Sequence, residues 1–304
     1  MVTRGIFYVL TMFGVLVVVG VVSNIIFAVS GVEVDQMSFF SLLGVCAVMG
    51  FGGSIISILM SKTLVKKQMG VRVITNPSND NEKWLVETVA YLAKQKGVKM
   101  PEVGIYPAEE MNAFATGWNK DAALVAVSTG LFSQMSQEEI AAVLGHEMSH
   151  VSNGDMVTMG LVQGITNTFV YALSYVLASV LSAKSGNSRS SSNGSFYLFS
   201  SVFQVVFGFL ATAVVMWFSR WREFHADAGA AKVYGSQAMI NALLALQNNS
   251  RRAASMSARE ANSRYRRKSA NMNALCISVP SNIRELFASH PSIERRIEAL
   301  KKLP

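Results

Sequence analysis

The chain is poor in charged residues and in cysteine. Only 15% of its 304 residues are Asp, Glu, Lys or Arg, whereas 51% are hydrophobic, and its mean hydropathy is +0.32. This composition excludes an ordinary soluble protein of such a length and indicates membrane-spanning segments. The two cysteines, Cys46 and Cys276, are too few for a disulfide framework or a cysteine-based zinc site, which favours a reducing environment for the polar part.

The surplus of basic residues is distributed in a way that does not indicate a nucleic-acid partner. The formal net charge is +8, but the Lys and Arg residues cluster at the ends of apolar runs. This clustering follows the positive-inside rule of membrane proteins. We therefore expect the lipid bilayer to be a partner and expect no nucleic acid.

Four segments contain no Asp, Glu, Lys or Arg, and each exceeds the roughly 20 residues that a helix needs to cross about 30 Å of hydrocarbon. They cover residues 5–31, 36–61, 156–183 and 196–219. The first is too long for a signal-peptide core and predicts a retained span. The third is interrupted by four polar residues from Gln163 to Thr168, so a buried helix of a soluble domain stays an alternative for it.

The charges beside these segments predict the orientation. Basic residues precede the first segment at Arg4 and follow the second from Lys62 onward, whereas the loop between them has Glu33 and Asp35 and no base. By the positive-inside rule, both termini and the long polar regions are cytoplasmic. The connection over residues 184–195 is rich in Ser, Gly and Asn and predicts disorder.

A histidine pair in the first long polar region is typical of a zinc site. Ser136 and Glu139 form a capping box that begins a helix, and His146 and His150 follow at i and i+4 on one face of it. Two imidazoles at this spacing bind one Zn²⁺, and Glu147 between them is placed to act as general base. Because the motif is short, a pair of exposed helical histidines is the alternative.

Glu223 is the candidate for the third metal ligand. A catalytic zinc takes three protein ligands, and Asp227, one helical turn after Glu223, could hydrogen-bond a ligand histidine. His225 is the alternative ligand, but two residues from Glu223 it points to the opposite side of a helix. Two membrane spans separate His150 from Glu223, so the chain returns to the same membrane face.

These features predict one cytoplasmic domain interrupted by a membrane insertion. Asn79 or Ser78 caps a helix that ends at Gly97, and three β-prone runs cover residues 103–106, 113–116 and 123–128. The expected domains are an N-terminal transmembrane hairpin at 1–62, a cytoplasmic zinc metalloprotease domain at 63–155 and 220–304, and an inserted second transmembrane hairpin at 156–219. The expected fold class is a mainly α membrane protein with four transmembrane helices and a cytoplasmic α+β zinc-metallopeptidase domain with a small sheet.

The segment from Arg251 to Lys268 is strongly basic. It contains seven basic residues and one acid. We expect a solvated, mobile loop here; a patch that binds lipid headgroups or a partner is the alternative.

The chain resembles the HtpX family of bacterial membrane-bound zinc metalloproteases, which are relatives of the CAAX prenyl endopeptidases. The resemblance extends over nearly the whole length and includes the four apolar runs. The segments that carry it are Asn112-Ala-Phe-Ala-Thr-Gly117, Val125-Ala-Val-Ser-Thr-Gly130, His146-Glu-Met-Ser-His150, Asn153-Gly-Asp-Met156 and Phe218-Ser-Arg-Trp-Arg-Glu-Phe-His-Ala-Asp227. It implies one zinc ion per chain on His146, His150 and Glu223, with Glu147 catalytic, and a multi-pass location in the bacterial inner membrane.

The resemblance also implies roles for four further residues. Asn112 and Ala113 match an edge strand that holds the substrate backbone, which fits β-augmentation by an extended peptide. His290 and Arg296 match a late His and Arg placed near the reacting carbonyl. From the residues alone, Asn112 and Ala113 are ordinary strand-end residues, His290 is a helix-entry residue, and Arg296 is a solvated helix charge.

The predicted function is endoproteolysis at the cytoplasmic membrane face. The resemblance implies that the substrates are damaged or misfolded membrane proteins and that the role is quality control under stress. A non-hydrolytic membrane zinc protein and a holdase for unfolded membrane segments are the alternatives, although a pure binder has no need of Glu147. The sequence assigns no oligomeric state.

Overall fold

The computed structural model of the chain describes residues 2–31, 36–184, 192–265 and 290–303. The chain forms two compact units. The first consists of Met1–Leu59 and Val157–Val215, and the second consists of Met60–Met156 and Met216–Pro304.

The first unit is formed by the larger part of each of four long helices. They are α1 (Val2–Ser30), α2 (Gln36–Gln68), α6 (Asp155–Lys184) and α7 (Ser192–Tyr234). Among the described residues, three helical segments are long and apolar enough to cross a membrane: Phe40–Gln68, Asp155–Lys184 and Gly194–Tyr234. Helix α1 contributes the shorter apolar stretch Val17–Ser30, so the expectation of four spans stays a prediction.

Helices α2 and α6 pack closely in the first unit because glycines lie at their contact. A Cβ atom at Gly50 would lie 2.4 Å from Thr168 Oγ1 and 2.8 Å from the Thr168 backbone nitrogen. On α6, a Cβ at Gly164 would lie 2.7 Å from the Phe51 ring. Small residues permit this approach between helices that have no hydrophobic driving force in lipid.

The second unit contains a four-stranded mixed sheet. Three of its strands coincide with the predicted β-prone runs, whereas the short strand at Arg72–Val73 was not predicted. Its strands are β1 (Arg72–Val73), β2 (Glu102–Tyr106), β3 (Ala113–Thr116) and β4 (Leu124–Ser128), in the spatial order β1-β2-β4-β3. Strand β4 is fully buried and pairs parallel with β2 and antiparallel with β3. Strand β3 therefore forms an edge of the sheet.

Among the described residues, five further helices accompany this sheet. They are α3 (Asp80–Lys96), α4 (Thr129–Gln134), α5 (Gln137–Asn153), α8 (Ser236–Tyr265) and α9 (Ile293–Lys301). Helix α3 begins after Asn79, whose side chain accepts from the Glu82 amide, and ends at Gly97 in the left-handed conformation. Leu85, Val125, Leu144 and Leu243 from α3, β4, α5 and α8 are fully buried in one core.

The loop expected for the basic segment is wrong over residues 251–265, because α8 continues to Tyr265. The stretch from Ser236 to Tyr265 contains no Gly or Pro, so no residue in it favours a helix stop. Residues 266–268 lie outside the described part, as do residues 185–191 of the connection expected to be disordered.

Candidate metal centre

Helix α5 fixes where the two motif histidines point. The Ser136 side chain accepts from the Glu139 amide, and the Ser136 amide donates to Glu139 Oε2 at 2.8 Å, so the predicted capping box is present. Ile140, Leu144, Met148 and Val151 are buried in the core. With that face buried, His146 and His150 lie one turn apart on another face, and Gly154 ends the helix just beyond them.

Helix α7 brings Glu223 to these two imidazoles. His146 Nε2 lies 3.1 Å from His150 Nε2, and Glu223 Oε1 lies 3.3 Å from His150 Nε2. The other oxygen, Glu223 Oε2, lies 3.5 Å from His146 Nε2. The three residues thus offer one ligand atom each within 4.8 Å of one another. Two imidazole nitrogens and a carboxylate oxygen are a donor set that suits a divalent transition metal.

A carboxylate contacts the Nδ1 atom of each imidazole and so orients the ring. His146 Nδ1 lies 2.9 Å from Asp227 Oδ1, the partner expected from the sequence. His150 Nδ1 lies 2.6 Å from Asp155 Oδ2. An Nδ1–H that donates to a carboxylate leaves the Nε2 lone pair for a metal. Sequence reasoning missed Asp155, although an acid directly after the Gly154 helix stop was the available signal.

These contacts also change the protonation of the metal-free imidazoles. Burial alone would lower the pKa of His150, but hydrogen bonds with Asp155 and Glu223 outweigh it and raise the pKa to about 9. Burial likewise acts to lower the pKa of His146, but hydrogen bonds with Asp227 and Glu223 outweigh it and raise the pKa. A metal ion must therefore displace protons when it binds.

Glu147 lies beside the cluster on the same helix. Burial raises the pKa of its carboxyl group, and the nearby His146 and His150 oppose this effect. The backbone of Ala115 on β3 also acts to lower the pKa of the Glu147 carboxyl group. The candidate general base therefore adjoins the edge strand of the sheet, whose first residue Ala113 lines the same cleft.

A cleft of about 390 Å³ gives access to the cluster. It is lined by Glu147, His146 and Glu223, by Asn112 and Ala113 at the start of β3, and by His290 and Arg296. The residue pairs expected to touch substrate therefore border the same space as the candidate metal ligands. Apolar residues complete its wall, among them Leu131, Val143, Met239 and Ile293.

Arg296 and His290 reach the cluster by different routes. Arg296 is 8% exposed and donates from Nε and Nη2 to Asp227 at 2.7 and 2.6 Å. The description of Arg296 as a solvated charge, drawn from the residues alone, is therefore wrong: the Asp227 carboxylate compensates its burial. His290 Nδ1 lies 2.7 Å from Glu223 Oε2, while 63% of its side chain is exposed.

His225 lies apart from the cluster. Its side chain is exposed, and its Nδ1 atom lies 3.0 Å from the backbone carbonyl oxygen of Trp221. The Trp221 and His225 ring centroids are 4.1 Å apart. This helix face is the one opposite Glu223.

Lys96 connects the helices that carry the cluster. Its ammonium group donates to Ser149 Oγ at 2.9 Å and to the Gly229 carbonyl at 2.6 Å. A Cβ atom at Gly229 would lie 2.4 Å from Ser149 Oγ. Helices α3, α5 and α7 therefore meet at one point close to the candidate ligands.

Comparison with known proteins gives the family. The model of peptidase family M48 matches residues 79–304. Protease HtpX of Aeromonas hydrophila subsp. hydrophila is 48% identical over 98% of this chain and 99% of its own length. Protease HtpX of Erwinia tasmaniensis is 45% identical over 97% of this chain and 96% of its own length.

A solved structure shares the fold. The crystal structure of S. mikatae Ste24p has a TM-score of 0.61 at 17% sequence identity. The comparison covers 98% of this chain, and the chain spans 66% of the length of that protein. Family membership implies a metal cofactor and protein substrates, and the apolar helices make the chain a membrane protein. The chain therefore belongs to the HtpX group of peptidase family M48, a family of metalloproteases.

Proposed function

We propose that the protein is a membrane-bound zinc endopeptidase that holds one zinc ion on His146, His150 and Glu223. The observation that carries this proposal is the convergence of their three ligand atoms beside Glu147. Asp227 and Asp155 support it, because each keeps one imidazole in the tautomer that a metal requires.

Glu147 is the proposed general base. When bound, zinc acts as a Lewis acid towards water and the scissile carbonyl. Glu147 takes a proton from the attacking water and passes it to the leaving amine, so that amide and water become carboxylate and amine. A raised pKa brings the Glu147 carboxyl closer to neutral pH, which suits a group that both accepts and returns a proton.

Substrate contacts are proposed along the edge strand. Asn112 and Ala113 line the cleft beside Glu147, and an extended peptide there would pair with the side of β3 that faces away from β4. His290 and Arg296 are the proposed contacts to the reacting carbonyl. His290 is the better placed of the two, because its imidazole is largely exposed while Arg296 is buried against Asp227.

The proposed setting is the bacterial inner membrane, with the catalytic part and both termini in the cytoplasm. The clustering of basic residues at the ends of the apolar segments supports this orientation. The proposed organisation is a transmembrane hairpin at 1–62, a metalloprotease domain at 63–155 and 220–304, and a second hairpin at 156–219. Substrates are then damaged or misfolded membrane proteins that expose polypeptide near the cytoplasmic surface.

Replacement of Glu147 tests the proposal. We expect Glu147→Gln to abolish cleavage of a membrane-protein substrate while the purified protein keeps about one zinc ion per chain, because Gln cannot accept the proton. Zinc content and chelator-sensitive cleavage are measured together. Glu138→Gln, which removes an exposed carboxylate from the same helix, is the control and should cleave normally. Appreciable cleavage by Glu147→Gln would rule out the assigned role.

A further inference from the structure

A second cleft adjoins the candidate active site. It has a volume of about 590 Å³ and lies between the end of α4, the beginning of α5 and one face of α8. Met111, which immediately precedes Asn112 and β3, lines both this cleft and the one that contains Glu147. We call this second space the amide cleft, after the carboxamide side chains of Gln134, Asn241, Asn248 and Asn249 that line it.

Two of these carboxamides are held in defined orientations. Gln134 Nε2 donates to the Glu109 carbonyl at 2.8 Å, which fixes the amide and leaves its carbonyl oxygen as an acceptor. Asn241 Oδ1 accepts from Gln237 Nε2 at 2.8 Å, which leaves the Asn241 NH₂ group as a donor. The cleft wall thus presents a hydrogen-bond acceptor and a hydrogen-bond donor, which can pair with the N–H and C=O groups of a peptide backbone.

The ligand chemistry follows from this pairing of donor and acceptor. Backbone N–H and C=O groups are available in an extended chain but are paired internally in a helix. A chain bound along the β3 edge in the active-site cleft passes Met111 at one end and so reaches the amide cleft. Carboxamides bind its backbone whatever its side chains are, which suits an enzyme that accepts many unfolded sequences.

We propose that the amide cleft is an extended substrate subsite that binds the backbone of an unfolded, polar stretch of polypeptide continuing from the scissile bond. The inference rests on the proposed function and deepens it. The substrate class is a loop or tail outside the bilayer, because a membrane-embedded helix has no free backbone groups to offer. Affinity then depends on the length of extended chain on the side of the cleaved bond that passes Met111.

Binding of two labelled peptides tests this subsite. Both contain the same central sequence of about six residues, and the longer one adds about eight polar residues on each side, which span about 26 Å when extended. Full-length Glu147→Gln protein in detergent is the background, so that the peptides bind without being cut. Fluorescence anisotropy gives the dissociation constants with and without the additional changes Asn248→Ala and Asn249→Ala.

We expect the double change to weaken binding of the long peptide about tenfold and to leave binding of the short peptide unchanged, given the typical net value of hydrogen bonds. Gln95→Ala, which removes an exposed carboxamide from α3 outside the cleft, is the control and should change neither. Unchanged affinity for the long peptide, or an equal loss for both peptides, would overturn the subsite.

Cleavage of the short peptide separates this inference from the proposed function. The subsite alone is ruled out if two results occur together. The unmodified protein cuts the short peptide in a chelator-sensitive way, and Asn248→Ala with Asn249→Ala does not selectively weaken binding of the long peptide. If neither peptide is cut and both bind equally to all variants, the proposed function and the subsite fail together.

Discussion

Two carboxylates fix the orientation and the tautomer of the imidazoles of the cluster. Asp227 contacts His146 from α7, and Asp155 contacts His150 from the beginning of α6. Arg222 donates from Nη1 to the backbone carbonyl oxygen of Asp155 at 2.7 Å, so the backbone that carries this carboxylate is itself held in place. Each candidate histidine ligand therefore depends on a side chain that does not line the active-site cleft.

Removal of Asp155 should weaken metal binding. We expect Asp155→Ala to raise the dissociation constant for zinc about 10- to 100-fold, because His150 loses the partner that fixes its tautomer. Competition with a chromophoric chelator on the full-length protein measures this constant. Glu138→Gln should leave it unchanged, and an unchanged constant for Asp155→Ala would show that the contact has no positioning role.

Glu82 makes the second unit sensitive to acid. Hydrogen bonds from Arg72 at 2.5 Å and from the Ser78 amide at 2.9 Å hold the pKa of the Glu82 carboxyl at about 2, against about 4.3 for a free glutamate. Because the pKa of Glu82 is lower in the folded than in the unfolded chain, its ionised carboxylate stabilises the fold in full at any pH above the pKa of the unfolded chain. That contribution is lost as the pH falls from about 4.5 towards 2.

Glu82→Gln should lower the thermal unfolding midpoint at neutral pH, and the difference from the unmodified protein should shrink between about pH 4.5 and 2. The measurement is thermal unfolding at a series of pH values. Glu87→Gln changes an exposed carboxylate on the same helix and serves as control. A pH-independent difference for Glu82→Gln would contradict the assignment.

At the scale of elements, helix contacts depend on residues that have little or no side chain. Lys96 reaches Gly229 because that position has no Cβ, and α2 approaches α6 at Gly50 for the same reason. In lipid, where apolar burial gives no driving force between helices, such close packing is the main attraction. These contacts set which faces of the helices meet.

Gly50→Ala should destabilise the first unit, whereas Gly53→Ala on the same helix should not. The new Cβ at position 50 would collide with the Thr168 backbone, and overpacking of this kind costs about 1–3 kcal/mol. Nothing lies within 4 Å of a Cβ at Gly53, where Ala favours the helix. Thermal unfolding in detergent compares the two, and equal midpoints would contradict the packing of α2 on α6.

At the scale of the whole molecule, the metalloprotease part is assembled from two distant stretches of chain. Glu223 lies 73 residues after His150 along the sequence, with two apolar segments between them. An even number of crossings returns the chain to the starting face, so the ligands can meet only if both segments span or neither does. The proposed topology uses two full crossings here and two before them.

Cysteine labelling tests this topology. In a protein without its own cysteines (Cys46→Ser and Cys276→Ser), Val32→Cys should react with a membrane-impermeant maleimide in intact cells. Lys302→Cys should react only after the inner membrane is permeabilised, since the positive-inside rule places the C-terminus in the cytoplasm. Labelling of Lys302→Cys in intact cells would reverse the proposed orientation.

The sequence alone determined features that depend on residues a few positions apart. They are the α5 capping box, the stop of α3 at Gly97, three of the four strands and the long apolar helices, which follow from local hydrogen bonds, side-chain periodicity and hydropathy. The histidine pair could be recognised for the same reason. The two-residue strand β1 is too short to give a pattern of its own. The loop predicted for residues 251–265 failed because charge was given more weight than the absence of helix-breaking residues.

The tertiary structure decided which distant side chains meet at the cluster. Asp227 and Arg296 are 69 residues apart and pair in the buried site, and His290 reaches Glu223 across 67 residues. Asp155 is close to His150 in sequence, yet its contact depends on how α6 begins beyond the Gly154 stop. A buried charge requires a partner, but only packing determines which partner is within reach.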